Sequence, residues 1–331
     1  MRLGLIAGSG ADWKDSLEKV KIAENLGYEM IASGEAWGTS VLPWQTAIAL
    51  NTSKVAIASS ILNTYSRTPA AMAQEYAMLE ELSGGRMVLG LGSSGAFVVE
   101  HFHGIPFEKP LTRIREYTQI FDTLMAGAPL NYEGESFQMS RGFRLEYQRT
   151  RDKVPVYIAA ISPKSIRQTG EIADGIFPIH WPKDHFKSLA QELRDGAAKG
   201  DNPDKEITIA PFTQVTVLDG SPEDEGRWIA ARGVIHHYVN RMGVFYHRML
   251  TRNGFADEVA ASMAAWAERD KDTSLAAISD DMVRSCQVIG FAQEVREQLQ
   301  ERSELGAHLQ LVSMPSGSVS EVATQLEAYL R

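Results

Sequence analysis

The chain has 331 residues, 44% of them hydrophobic and 23% charged, with a formal net charge of -9. This is the composition of an ordinary globular protein long enough to bury a sizeable core, and its scattered lysines and arginines exclude the electrostatic footprint of nucleic-acid or anionic-membrane binding. The lone cysteine, Cys286, excludes an internal disulfide and a cysteine-based metal cluster, and it fits a cytoplasmic setting.

The apolar run Leu3 to Ala7 stops at Gly8-Ser9-Gly10, too brief for a signal-peptide core or a membrane span, and reads as a buried first strand. Leu17, Val20, Ala23 and Leu26 then recur at helical spacing, with Gly27 placed for a left-handed cap. Tyr28 to Ser33 is the next strand, Trp44 to Leu50 a helix, and Val55 to Leu62 a β-branched, fully buried strand. Thr68 and Pro69 open a helix whose face carries Met72, Tyr76 and Leu79 and which stops at Ser83-Gly84-Gly85. Met87 to Leu91 is the fourth strand. A helix through Ile114, Tyr117, Phe121 and Leu124 and a hairpin around residues 131–143 follow before the fifth strand, Pro155 to Ala160. Gly175 to Ile179, Ile207 to Val217 and His308 to Val312 complete eight strands alternating with helices. That rhythm predicts an α/β fold, a (β/α)8 TIM barrel rather than an open doubly wound sheet.

One region breaks the alternation. From Glu223 to about Asp281 the pattern is helical throughout, which predicts a helical insertion between strands seven and eight that forms a lid, a dimer surface, or both. With no linker in evidence, residues 1–331 are expected to form a single domain with insertions at about 97–150 and 220–285.

The stretch M-V-L-G-L-G-S-S-G contains G-x-G-x-x-G at Gly90, Gly92 and Gly95. A dinucleotide fingerprint needs a helix opening directly from the last glycine and an acidic residue about twenty positions on, at a strand end. Here Gly104-Ile105-Pro106 breaks the helix, and Glu116, at the required distance, lies inside a helical pattern. The context favours a loop at the carboxyl end of a barrel strand, where glycine lets backbone amides approach a ligand closely. Other strand ends are chemically loaded too: Gly34-Glu35-Ala36-Trp37, Ser60 to Arg67, Ala159 to Ser162, and His180-Trp181-Pro182-Lys183.

With these residues in place, the chain resembles the bacterial-luciferase-like flavin and deazaflavin oxidoreductases, most closely the branch that uses coenzyme F-420. The matching blocks are S-S-I-L-N-T-Y-S-R-T-P (59–69), L-E-E-L-S-G-G-R-M-V-L-G-L-G-S-S-G (79–95), P-V-Y-I-A-A-I-S-P-K (155–164), G-E-I-A-D-G (170–175) and Y-V-N-R-M-G-V-F-Y-H-R-M-L-T-R-N-G-F-A-D-E (238–258). The resemblance implies a (β/α)8 barrel with its cofactor at the carboxyl rim. It implies a non-prolyl cis peptide at Ser60-Ile61 behind the deazaflavin ring, and cofactor contacts from Asn63, from Gly92, Ser93, Ser94 and Gly95, and from Ala159, Ala160, Ile161 and Ser162. The helix opened by Pro163 is then expected to attract phosphate, and Lys183 and Arg284 fall near positions of basic phosphate ligands. Two places depart from the pattern: where sugar-phosphate dehydrogenases of this family carry a catalytic histidine and glutamate, this chain has Ala36 and Gly95.

Glu35, Trp37 and His180 are the candidate catalytic groups. Glu35 serves either as a proton relay or as a carboxylate bonded to backbone amides, and His101, His103 and His180 are candidate proton donors. The expected activity is hydride transfer between the deazaflavin and a C=C, C=N or C=O bond of a small-molecule substrate, with FMN-dependent monooxygenation as the alternative. A barrel that binds ligand without turnover is a further alternative. No bound metal is expected, since the histidines lack the spacing of a metal hydrolase. The protein is expected to be a homodimer, through apolar helices such as that running from Val234 to Met249.

Overall fold

Alternation along the strand Met30–Ser33 sets the architecture: Met30 and Ala32 belong to one buried cluster and Ile31 to another. The first cluster, with Ala58, Val88, Tyr157 and Phe177, lies inside a curled sheet, and the second lies between the sheet and its helices. The computed structural model describes residues 1–330.

All strands of this sheet are parallel, in the order Thr208–Ile209, Gly175–Ile176, Val156–Ile158, Met87–Gly92, Ala56–Ser59, Met30–Ser33, Leu3–Ile6, Gln310–Ser313 and Phe212–Thr213. The first and last members are separated in the chain by Ala210 and Pro211 alone, so the sheet curls back toward its own start. This is an α/β fold with a curled parallel sheet, a topology in which a Rossmann half has no place.

Local signals carry most of the helices. Gly27, at φ 94°, caps Trp13–Leu26, and the Thr68 hydroxyl accepts from the Ala71 amide at the start of Pro69–Ser83. Glu116 is buried on the helix Pro110–Met125, where its carboxylate accepts from the amides of Glu135, Ser136 and Phe137. It pins the turn between Leu130–Glu133 and Gln138–Phe143.

Two expected strands differ from observation. The run Val55 to Leu62 breaks after Ser59: the Ser60–Ile61 peptide is cis, and Leu62–Asn63 pairs separately with Leu91 and Gly92. The run Ile207 to Val217 divides into three pieces around Pro211, which has no N–H to give a ladder. Its last piece, Val215–Leu218, leaves the curled sheet to pair with Val288–Phe291, a four-residue strand too short to show a period in the sequence. Five helices, from Glu223–Arg241 to Asp280–Cys286, lie between these two strands.

Candidate active site

Strands three and four approach each other without a side chain between them. A Cβ on Gly90 would lie 1.8 Å from the Ser59 carbonyl oxygen, so the close approach requires glycine there. The Ser59 hydroxyl accepts from the Gly90 amide at 2.8 Å and meets the Tyr76 hydroxyl at 2.8 Å. Two residues on, a Cβ on Gly92 would lie 2.7 Å from Cδ1 of Ile61. Gly92 and Ile61 therefore form one flat wall at the carboxyl end of the sheet.

Beyond this wall the chain opens. Gly8, Gly38 and Gly95 have open space where a Cβ would sit. Ser94 takes a positive φ of 59° in the turn to the short helix Ala96–His101. The Ser93 hydroxyl bonds the Ser94 carbonyl at 3.0 Å. Ala159 and Ile161 are half-buried at the end of the fifth strand. Among the described residues, the buried Ser60 Oγ, Thr64 Oγ1 and His180 Nε2 have no hydrogen-bond partner. Buried polar atoms are normally satisfied, so the Ser60 and Thr64 hydroxyls, on the segment that carries Ile61, point to a bound group that supplies the missing bonds, while His180 lies on a separate element.

Glu35 is committed elsewhere. Its carboxylate accepts from Arg67 at 2.6 and 3.1 Å and from the Val41 amide at 2.8 Å. Burial pushes its pKa up, but the guanidinium and the amide outweigh that and hold the carboxyl below its usual range. Glu35 thus buttresses the rim and stays ionised, bound to the Arg67 guanidinium and to one backbone amide, that of Val41. Trp37 is 62% exposed beside it, free of any buried pocket wall. Asn63 accepts from the amides of Tyr65 and Ser66 through Oδ1, and its Nδ2 stands 3.3 Å from Nε2 of His103. His101 is exposed and stacks edge-on against Phe97.

Ser162 closes a capping box with Ser165 at the start of the helix Pro163–Ile172. Since that cap uses the amides of Ser162 and Ser165, and Pro163 has none, the helix end offers a phosphate less than the sequence suggests. Lys183 and Arg284 come together on one groove of about 480 Å³, facing Glu294, Glu297 and Glu301. Lys183 is already paired with Glu301 at 2.5 Å, and Arg284 lies over the Trp228 ring at 4.9 Å.

His180 is buried at the end of strand six with a φ of 51°. Burial pushes its pKa down to about 4, so the ring is neutral near pH 7 and cannot act there as an imidazolium acid. The spacing of residues does not reveal that Arg67, on a loaded strand end, is the partner of Glu35, nor does it single out Tyr238 and Tyr246. Arg67 stands in a matched block but finds Glu35 only through the fold, and the two tyrosines sit in a helical pattern that reads as core packing.

A family model described as luciferase-like monooxygenase matches residues 1–309. The chain belongs to the luciferase-like monooxygenase family. A Mycobacterium tuberculosis protein named as a coenzyme F-420-dependent oxidoreductase is 27% identical over 97% of both chains. The 5,10-methylenetetrahydromethanopterin reductase of Archaeoglobus fulgidus is 28% identical, over 93% of this chain and 91% of its own. The fold matches that of the coenzyme F-420-dependent tetrahydromethanopterin reductase of Methanopyrus kandleri with a TM-score of 0.82 at 22% identity, covering 99% of this chain and 96% of that one. Among the described residues, no helix is long and apolar enough to cross a membrane.

Proposed function

We propose that this chain is a coenzyme F-420-dependent oxidoreductase acting on a small organic molecule with a C=C, C=N or C=O bond. The observation that carries the reading is the set of buried, partnerless hydroxyls, Ser60 Oγ and Thr64 Oγ1, beside the flat wall of Ile61 and Gly92. The full-length likeness to relatives named for F-420 supports it. When bound, the coenzyme supplies hydride transfer at its C5.

The chain's own residues bind and orient. Ile61 and Gly92 present an apolar face to a planar ring, and the Ser60 and Thr64 hydroxyls stand ready to bond its polar edge. Backbone groups of Ser93 to Gly95 and of Ala159 to Ser162 line the rim. Lys183 and Arg284 serve as ligands for a phosphate-bearing tail, which would displace Glu301 from Lys183 on a groove that also holds Glu294 and Glu297. The Glu35–Arg67 pair fixes the loop that carries Trp37 over the opening.

We read the curled sheet as a closed (β/α)8 barrel in one domain, with the helices after Glu223 as an inserted lid. The exposed Val244 and Phe245, in the expected Val234 to Met249 region, support a homodimer. The single buried Cys286 supports a cytoplasmic setting. The test is fluorescence titration of the purified protein with coenzyme F-420: saturable binding at micromolar concentration is expected, and its absence rejects the proposal. The alternative, FMN-dependent monooxygenation, is favoured by the family's description. Flavin that copurifies, with substrate-dependent oxygen consumption, would establish it instead.

A further inference from the structure

His180, Tyr238 and Tyr246 form a connected aromatic group that no step above uses. The His180 and Tyr238 rings meet edge to face at 4.4 Å, and Tyr238 meets Tyr246 the same way at 4.8 Å. The three come from separate pieces of chain: the end of strand six, the helix Glu223–Arg241 and the helix Val244–Arg252.

Packing alone does not account for them. His180 is 5% exposed, yet its Nε2 has no partner, and the residue keeps a left-handed backbone that a side chain seldom adopts. Both tyrosines are half-buried, and among the described residues neither phenol oxygen makes a hydrogen bond. One buried polar atom, His180 Nε2, thus lacks a partner from the protein, and two phenol hydroxyls beside it are free of protein partners among the described residues.

The charges nearby restrict what fills the space. Arg252 is engaged by Glu192 at 3.7 Å and by the Trp181 ring at 5.5 Å. His237, whose ring is 5.9 Å from Tyr238, is exposed. An anion placed against His180 would give up its hydration beside a buried ring that burial keeps neutral, with the neighbouring Arg252 already engaged. A planar neutral ring loses little and gains edge-to-face contacts.

We propose that His180, Tyr238 and Tyr246 are a substrate subsite for a flat, uncharged ring bearing a carbonyl oxygen, which the phenol hydroxyls and the imidazole bond and position. This rests on the oxidoreductase reading above. It assigns specificity to helices that otherwise look like a cover, and it sets a sugar phosphate outside the substrate range.

The test uses the whole protein with reduced coenzyme F-420, with 2-cyclohexen-1-one as the neutral planar probe and glucose 6-phosphate, offered with the oxidised coenzyme, as the anionic one. Saturable consumption of the enone is expected, with no turnover of the sugar phosphate. Tyr238→Phe and Tyr246→Phe should each raise KM for the enone about five- to tenfold, the value of one hydrogen bond. Coenzyme affinity and kcat should stay within about twofold, since neither hydroxyl is placed against the coenzyme. An unchanged KM in both variants, no enone consumption, or turnover of the sugar phosphate overturns the subsite while the coenzyme still binds. Failure of the wild-type protein to bind coenzyme overturns the oxidoreductase reading, and the subsite with it.

Discussion

Arg67 grips Glu35 across the carboxyl rim through two N–H···O bonds of 2.6 and 3.1 Å. Because the same carboxylate also holds the Val41 amide, it joins the loop after strand two to the segment after strand three. Glu35→Gln should lower unfolding free energy by about 1–2 kcal/mol, as expected when a half-buried charged hydrogen bond is replaced by a neutral one. Chemical denaturation measures this. The turnover rate at saturating substrate should move less than threefold; loss of a pH limb from kcat in that variant would instead make Glu35 the proton relay.

Gly90 and Gly92 should respond differently to the same methyl group. At Gly90 the added carbon meets backbone, the Ser59 carbonyl, which cannot swing aside. Gly90→Ala should cost about 3 kcal/mol or more, and the variant is expected to be poorly folded. At Gly92 the added carbon meets the tip of Ile61, a flexible group. Gly92→Ala should keep its melting temperature within a few degrees while coenzyme affinity falls about tenfold, because Ile61 is pushed into the space of the ring.

The buried His180 makes stability depend on pH. Its pKa is pushed from the ordinary 6.5 down to about 4 in the folded chain, so the unfolded state binds the extra proton first. The contribution is whole above about pH 6.5 and is lost as pH falls toward 4, up to roughly 3 kcal/mol. Denaturation curves of wild type and His180→Phe at pH 7.5 and 4.5 should show the wild type losing more stability on acidification. Equal losses would place the histidine in a solvated setting.

Lys183 and Glu301 form an ion pair in the groove they share with Arg284. If the groove takes the phosphate-bearing tail, Lys183→Ala should weaken coenzyme binding about three- to tenfold, and Glu301→Gln should tighten it by a similar factor at low salt. Calorimetric titration at two ionic strengths reads both. Identical affinity in both variants would remove Lys183 from the site.

Much of the scaffold was legible before any coordinates. The Thr68-Pro69 start, the Gly27 stop and the apolar runs at Leu3, Met30 and Met87 depend on neighbours within a few residues, and these appear where expected. The cis peptide at Ser60–Ile61 stands where the resemblance placed it, whereas the division of the run Ile207 to Val217 and the short strand Val288–Phe291 were not legible as strand ends. The pairing of Val215–Leu218 with Val288–Phe291 is set by segments about seventy residues apart, which leaves no period in the local sequence.

The site divides along the same line. The rim glycines and the polar strand ends stood out because residue type alone marks a loop that approaches a ligand closely. Which carboxylate is neutralised and which polar atoms remain partnerless was decided by contacts across 32 residues for Glu35 and Arg67 and between separate elements for His180 and Tyr238. The sequence by itself determined where the capped helices and the longer apolar strands begin and which strand ends carry glycines and polar residues, since those energies are local. Tertiary structure decided each group's charge state and bonding, because burial and partner choice exist only once distant segments are brought together.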